Sequence, residues 1–443
     1  MKKQSCASSK YAKLEENILK QAGSIFSYLM AGLICCSGAT AQAQTQTHMP
    51  LKTAAEKAQT EFIETLRQMV LIESGSEDTQ GLSQMAQLVE AHLKKLGFAT
   101  ERHKTSAGAG ADIVVGKLQG KGKKKFMLQA HMDTVYQAGI LKTQGYKVDG
   151  NRIYGPGIAD DKGGIAVILK SLEILQQLGW KDYAQITVMF NPDEEVGSIG
   201  SGEFISKLAD QHDVVFSCEP TVAKSVAKNE SVLLGASGAT RIDMQVTGKA
   251  SHAGAAPELG RNALVELSHQ IVQTKDIAKS IAGVQMNWTL SQAGTVRNQI
   301  PEKALASADV RTTLPGAAEK LRDALEKTVN AQKLILDTTT TVTLLGGRPP
   351  YVGGSKAKAL AEQAQAIYQE LDRKLDIIPM TGGATDAAFA ARSNKAAVIE
   401  SFGLAGWGYH AKDEYIEVDS IVPRLYLLSR MLMVLGQQAD AQP

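Results

Sequence analysis

The fold turns on KFMLQAHMDTVY, residues 125–136. Its opening residues are an apolar run entered from the basic stretch GKGKKK (120–125), as expected of a buried strand led in by a solvated loop. The run gives way at once to His131 and Asp133. Side chains alternate along a strand with period two, so these two share one side of the strand end, where each has shed part of its water. An imidazole beside a carboxylate in that position needs a chemical reason.

Working outward, ADIVVGKL (111–118), QITVMF (185–190) and DVVFSCE (213–219) read as further strands, and residues 53–73, 81–96 and 163–178 repeat apolar positions at helical spacing. This alternation predicts an α/β catalytic domain, a largely parallel mixed sheet with helices on both faces. Functional residues of such sheets gather beyond the carboxyl ends of the strands. From about residue 236 the pattern changes. A strand (ATRIDMQVTGKA), a helix (261–280), two strands (QMNWTLSQAGT, ASADVRTTL), a helix (317–334) and a last strand (338–345) follow in turn. That order predicts an inserted α+β unit of ferredoxin-like type. Beyond Gly346-Gly347 come a helix (355–371), the strand AAVIESFG and a closing helix (420–436). The expected organisation is a catalytic domain, 50–235 and 347–440, interrupted by a unit at 236–346. A length of 443 residues suits two domains.

Composition excludes other classes. The formal charge of +2 is dispersed, and a single dense basic block argues against a nucleic-acid partner. Lysines in residues 1–23, an apolar or small stretch at 24–39 and AQAQ at 41–44 predict a signal peptide, residues 1–43, and a secreted or periplasmic destination. The apolar stretch is too short and too interrupted by Ser and Gly to span a membrane. Cys6, Cys35 and Cys36 fall in this leader, so the mature chain would keep Cys218 alone and form no internal disulfide.

The same polar punctuation recurs at the other strand and loop ends. GPGIADDKGG supplies Asp160 and Asp161, NPDEEVGS supplies Asp193, Glu194 and Glu195, SCEPT supplies Glu219, and GYHAKDE supplies His410. Taken singly, each has a structural explanation; Asp160 or Asp161, for instance, could cap the helix that follows. Together on one rim, two imidazoles and several carboxylates would repel or stay desolvated unless positive charge lay among them. Zinc accepts both ligand types, and the set is too large for one tetrahedral shell but suits two ions sharing a carboxylate. In that arrangement Asp160 bridges, His131 and Glu219 complete one ion, and Glu195 and His410 complete the other. Asp133 would accept the second ring N–H of His131 and fix its tautomer. Adjacent Glu194 and Glu195 cannot point alike, so one binds metal and the other is the natural general base.

With these motifs assembled, and with GKASHAGAAPELG and TGGATDAA in the same order, the chain resembles the di-zinc aminoacylase/carboxypeptidase-like metallopeptidase family, in particular its glutamate carboxypeptidases. The resemblance implies His131, Asp160, Glu195, Glu219 and His410 as ligands of two Zn2+ per subunit, Glu194 as base and Asp133 as the partner that orients His131. It implies that His252 of ASHAG reaches the active site of a partner subunit and stabilises the oxyanion, making a homodimer functional. Arg311, Arg348 and Lys228 resemble positions that hold the carboxylates of a C-terminal glutamate, and Asn298 a polar contact from the inserted unit. A guanidinium suits a carboxylate because it forks two donors onto two oxygens. Ala384 stands where a third glycine is usual, and Trp407 lies near the ligand histidine, two departures that bear on substrate preference. The implied activity is hydrolysis of the amide bond to a C-terminal amino acid, glutamate by preference, in peptides or folate-like N-acyl glutamates. The alternatives are a related amidohydrolase of other N-acyl amino acids or dipeptides, and a non-catalytic binder, which would have no need of Glu194.

Overall fold

The computed structural model describes residues 46–107, 110–393 and 395–438; the expected leader lies outside them. At its centre is a six-stranded mixed sheet, in spatial order 99–104, 112–119, 185–191, 125–131, 214–217 and 397–399. The last four of these are mutually parallel, with His131 opposite Asn191 and Ile399 opposite Phe216. Their carboxyl ends therefore open on one rim, and the residues just beyond them become neighbours although they come from distant parts of the sequence.

Period-two alternation sorts the strand side chains between two cores. Phe126, Leu128, Ile186, Val188 and Phe216 join Leu66, Leu169 and Leu428 from helices Met49–Val70, Lys162–Gln177 and Ile421–Gln437. Met127, Met189, Val215 and Val398 point the other way, onto Ile205 and Leu208 of helix Gly202–Ala209 and onto Phe389. Each fully buried phenylalanine or leucine contributes about 1.5–3 kcal/mol, so register is firmly set: a one-residue slip would exchange the two cores. Helix starts follow local chemistry. His48 Nδ1 accepts from the Leu51 N–H ahead of Met49–Val70, and the Asp78 carboxylate accepts from the Gly81 N–H ahead of Thr79–Lys95.

The strands Gly238–Thr247, Val284–Ala293, Lys303–Thr312 and Thr339–Arg348 form a four-stranded antiparallel sheet in the spatial order second, third, first, fourth. Its own core packs Ile242, Met244, Ala306 and Val342 beneath Leu267 and Leu321 from helices Ala263–Thr274 and Ala317–Ala331. Both the α/β sheet and the ferredoxin-like β-α-β-β-α-β order match the sequence expectation. Not foreseen is a five-stranded sheet of two- and three-residue strands, 147–149, 152–154, 415–417, 405–407 and 221–222, drawn from the stretch between His131 and helix Lys162–Gln177 and from around Trp407. Strands that short carry no readable period. No helix of the described residues is long and apolar enough to cross a membrane.

Candidate active site

His131 is the last residue of its strand and is fully buried. Its Nδ1 lies 3.0 Å from the Asp133 carbonyl oxygen and 3.3 Å from Asp133 Oδ1, while Nε2 lies 3.0 Å from Asp160 Oδ1 and 3.7 Å from Glu219 Oε1. Asp133 thus orients the imidazole mainly through its backbone. Its carboxylate accepts instead from the Glu194 and Glu195 N–H groups, both at 3.0 Å, and from Ser76 Oγ at 2.8 Å. One aspartate therefore fixes the histidine and the turn bearing both glutamates, a wider role than the sequence suggests.

The two oxygens of Asp160 face different histidines: Oδ2 lies 3.3 Å from His410 Nε2, which is also 3.2 Å from Glu195 Oε2. His410 has a left-handed φ of 62°, uncommon for a residue with a side chain and enriched at functional turns. Asp161 is no ordinary helix cap, since its side chain makes no capping bond. Its Oδ2 accepts from the His131 N–H at 3.3 Å, and Oδ1 is buried without a partner. Helix Lys162–Gln177 begins so close to the rim that a Cβ on Gly164 would come within 2.1 Å of the Cys218 carbonyl oxygen and 2.2 Å of Asp161 Oδ1, which accounts for the glycine there.

Electrostatics make this cluster costly on its own. Burial pushes the carboxyls of Asp161, Glu194 and Glu195 up, and Glu219 up to about 8 against the pull of His131. Burial also acts on Asp160 and His131, but there pairing wins: His131 and His410 hold Asp160 below its ordinary range, and Glu219, then Asp133 and Asp160, hold His131 well above its own. Hydrogen bonds to Asp160 and Glu195 raise His410 to about 10. Two ligand sets lie with their donor atoms within 4.8 Å of one another, His131–Asp160–Glu195 and His131–Asp161–Glu219, and Glu195 Oε1, like Asp161 Oδ1, has no partner. Nitrogen and oxygen donors, unsatisfied buried oxygens and excess negative charge fit divalent cations.

Beside the cluster lies a cavity of about 610 Å³, lined by Asp160, Glu194, Glu195, Glu219 and His410 together with Arg311 and Arg348 of the four-stranded sheet. Arg348 is buried, and its Nη1 is 2.6 Å from Glu194 Oε1. Its remaining donors face the Glu194 carbonyl, Ser198 Oγ and Asp386. Arg311 is more open and bonds Asp309 at 3.0 Å. Lys228, Asn298 and His252 are exposed and not among the cavity's lining residues. His252 and Asn298 are near each other on the inserted unit, because strand 251–252 pairs with strand 299–300. Ala384 lines the cavity; Trp407 is exposed with its ring 5.8 Å from that of Tyr409, which also lines it. The sequence reading passed over Thr385, Glu400 and Ser401 on the cavity wall. Glu400 ends an apolar strand just as Glu219 does, so the same rule would have flagged it.

Known proteins resemble this chain in sequence and in fold. Carboxypeptidase G2 of Pseudomonas sp. (strain RS-16) is 44% identical over 398 residues, covering 90% of this chain and 94% of that protein. A Staphylococcus aureus tripeptidase structure superimposes with a TM-score of 0.70 at 20% identity, covering 86% of this chain and 99% of its own. An M20 family metallo-carboxypeptidase of Sulfolobus solfataricus does so at 0.67 and 17%, covering 85% and 100%. These two likenesses bear on the fold alone. With the sequence profile of Peptidase family M20/M25/M40 matching residues 127–434, the chain belongs to that family.

Proposed function

We propose that this metallo-carboxypeptidase removes a C-terminal glutamate from peptides or N-acyl glutamates, using two zinc ions per subunit. The observation that carries the reading is the convergence of His131, Asp160, Glu195, Glu219 and His410 beside a cavity that holds two arginines. The 44% identity to carboxypeptidase G2 over nearly the whole of both chains supports the glutamate preference.

Asp160 would be shared between the ions, with His131 and Glu219 on one and Glu195 and His410 on the other. Asp161 stands as a further acid beside the first set. Bound there, the ions would polarise the scissile carbonyl and make a water acidic enough to attack near neutral pH. Glu194 takes the water's proton and passes it to the leaving amine. Burial from bulk water sharpens every such transfer, while the Arg348 guanidinium keeps Glu194 from being protonated too readily. Arg311 and Arg348 offer forked donors to substrate carboxylates, so binding there would draw Arg348 partly away from the base. Lys228 and Asn298 would join these contacts only from surfaces outside the present lining.

His252 Nδ1 accepts from the Gly254 and Ala255 N–H groups at 3.1 and 3.0 Å, which leaves the ring proton on Nε2 as a donor. The reading has this donor meet the oxyanion in the active site of a partner subunit. An edge strand, Val284–Ala293, with Leu290 exposed on it and Val272 exposed on helix Ala263–Thr274, which the strand touches through Trp288 and Thr274, supports a homodimer formed through the inserted unit. We also propose export after removal of the leader, which N-terminal sequencing of the mature protein tests. The experiment for function is a panel of N-acyl amino acids and dipeptides. Preferential release of glutamate is expected; equal rates for neutral C-terminal residues would overturn the specificity.

A further inference from the structure

We propose that Glu414 is a positioning residue that buckles together the three loops presenting His131, Asp160 and His410. It ends the segment GYHAKDE, four residues after His410, and its side chain is fully buried. Oε1 accepts from the N–H groups of Ala159 at 2.8 Å and Asp160 at 3.1 Å. Oε2 accepts from the Gly157 N–H at 2.9 Å and lies 2.7 Å from the Tyr136 hydroxyl. That hydroxyl is also 2.7 Å from the Ala411 carbonyl oxygen, and the Glu414 carbonyl accepts from the Gly155 N–H at 3.2 Å.

The consequence is geometric. Gly157, Ala159 and Asp160 turn their N–H groups inward onto one carboxylate, which sets where the Asp160 side chain starts. Gly157 makes the turn with φ of 68°, and a Cβ there would come within 2.4 Å of Thr134. Tyr136 ties in the loop that leaves His131, and Glu414 itself is anchored in the segment of His410. Three ligands that are far apart in sequence are thereby held in one mutual register by a single acceptor. A carboxylate is needed because both oxygens must accept; an amide of the same shape would turn its own NH2 towards N–H donors.

This inference rests on the metal-centre reading, and its test separates the two. Zinc alone is the probe: wild type, Glu414→Gln and Tyr136→Phe are titrated against a competing chelator, well below the thermal midpoint of each zinc-free protein, with circular dichroism to establish the fold. Glu414→Gln is expected to weaken zinc binding about 10–100-fold, the range for residues that orient metal ligands. Tyr136→Phe, which deletes one donor, is expected to weaken it about two- to tenfold. A merely structural role would lower the zinc-free thermal midpoint and leave the affinity of the folded fraction unchanged. Folded Glu414→Gln with wild-type affinity overturns the inference; if that variant does not fold, Tyr136→Phe decides, and wild-type affinity there overturns it. Wild type that takes up no zinc overturns the metal-centre reading, and this inference with it.

Discussion

Arg348 grips Glu194 twice, with Nη1 2.6 Å from the carboxylate and Nη2 on the backbone carbonyl of the same residue. The arginine ends strand Thr339–Arg348 of the four-stranded sheet, and the glutamate follows a strand of the central sheet. The proposed base is therefore held by the four-stranded sheet, which also brings Arg311 to the cavity.

This pairing has a pH signature. Burial raises the Glu194 carboxyl and Arg348 lowers it. Without the guanidinium the carboxyl protonates more readily, and the base is ready only at higher pH. Arg348→Met should move the acid limb of the kcat/KM profile upward, in addition to any loss of substrate affinity. A limb that stays in place would show that the pair does not tune the base.

Glu194 itself separates catalysis from metal binding. Glu194→Ala should lower kcat by at least about 10²–10⁴-fold, the usual contribution of a positioned base. Zinc content by elemental analysis should stay at the wild-type level, because Glu195 and not Glu194 faces His410. Full activity in this variant would remove the assignment.

A buried ion pair outside the proposed ligand set supports the fold behind the cavity wall. Glu230 accepts from Arg424 Nε at 2.7 Å, the Tyr368 hydroxyl at 2.6 Å and Arg373 at 3.0 Å, and both Glu230 and Arg424 are buried. Arg424→Met leaves part of this charge uncompensated, and a loss of about 3–5 kcal/mol is expected in denaturant unfolding. Breaking the exposed surface pair Arg322–Asp323 should change stability far less.

Glu90 gives a stability change with a defined pH window. Hydrogen bonds from Lys94 and Arg102 lower its carboxyl from 4.5 to about 2. A depressed carboxyl stabilises the fold above its unfolded value, and that contribution fades as pH falls through the folded value. The thermal midpoint of Glu90→Gln should lie slightly below that of wild type at neutral pH, with the gap closing between about pH 5 and pH 2. A gap independent of pH would point to packing instead of charge.

Much of this architecture is written locally. KFMLQA, QITVMF and DVVFSCE announce their strands by composition, and the residues that break them, His131, Glu194 and Glu219, announce the rim. The inserted unit is equally legible from the order of its strands and helices. What stays hidden is long-range and made by backbone. Glu414 bonds the Asp160 N–H across 254 residues, and Asp133 bonds the Glu194 N–H across 61. A carboxylate that receives peptide N–H groups leaves no matching side-chain pattern at the other end. The Arg348–Glu194 pair is hidden for a related reason: a guanidinium that suits a substrate carboxylate suits a buried glutamate equally well.

The central claim is that divalent ions make the gathered imidazoles and acids compatible. The most direct measurement is metal content of the purified, active protein, taken together with activity before and after chelation. Two zinc ions per chain are predicted, with activity lost on chelation and restored by zinc. Full activity in protein free of divalent ions would contradict the account.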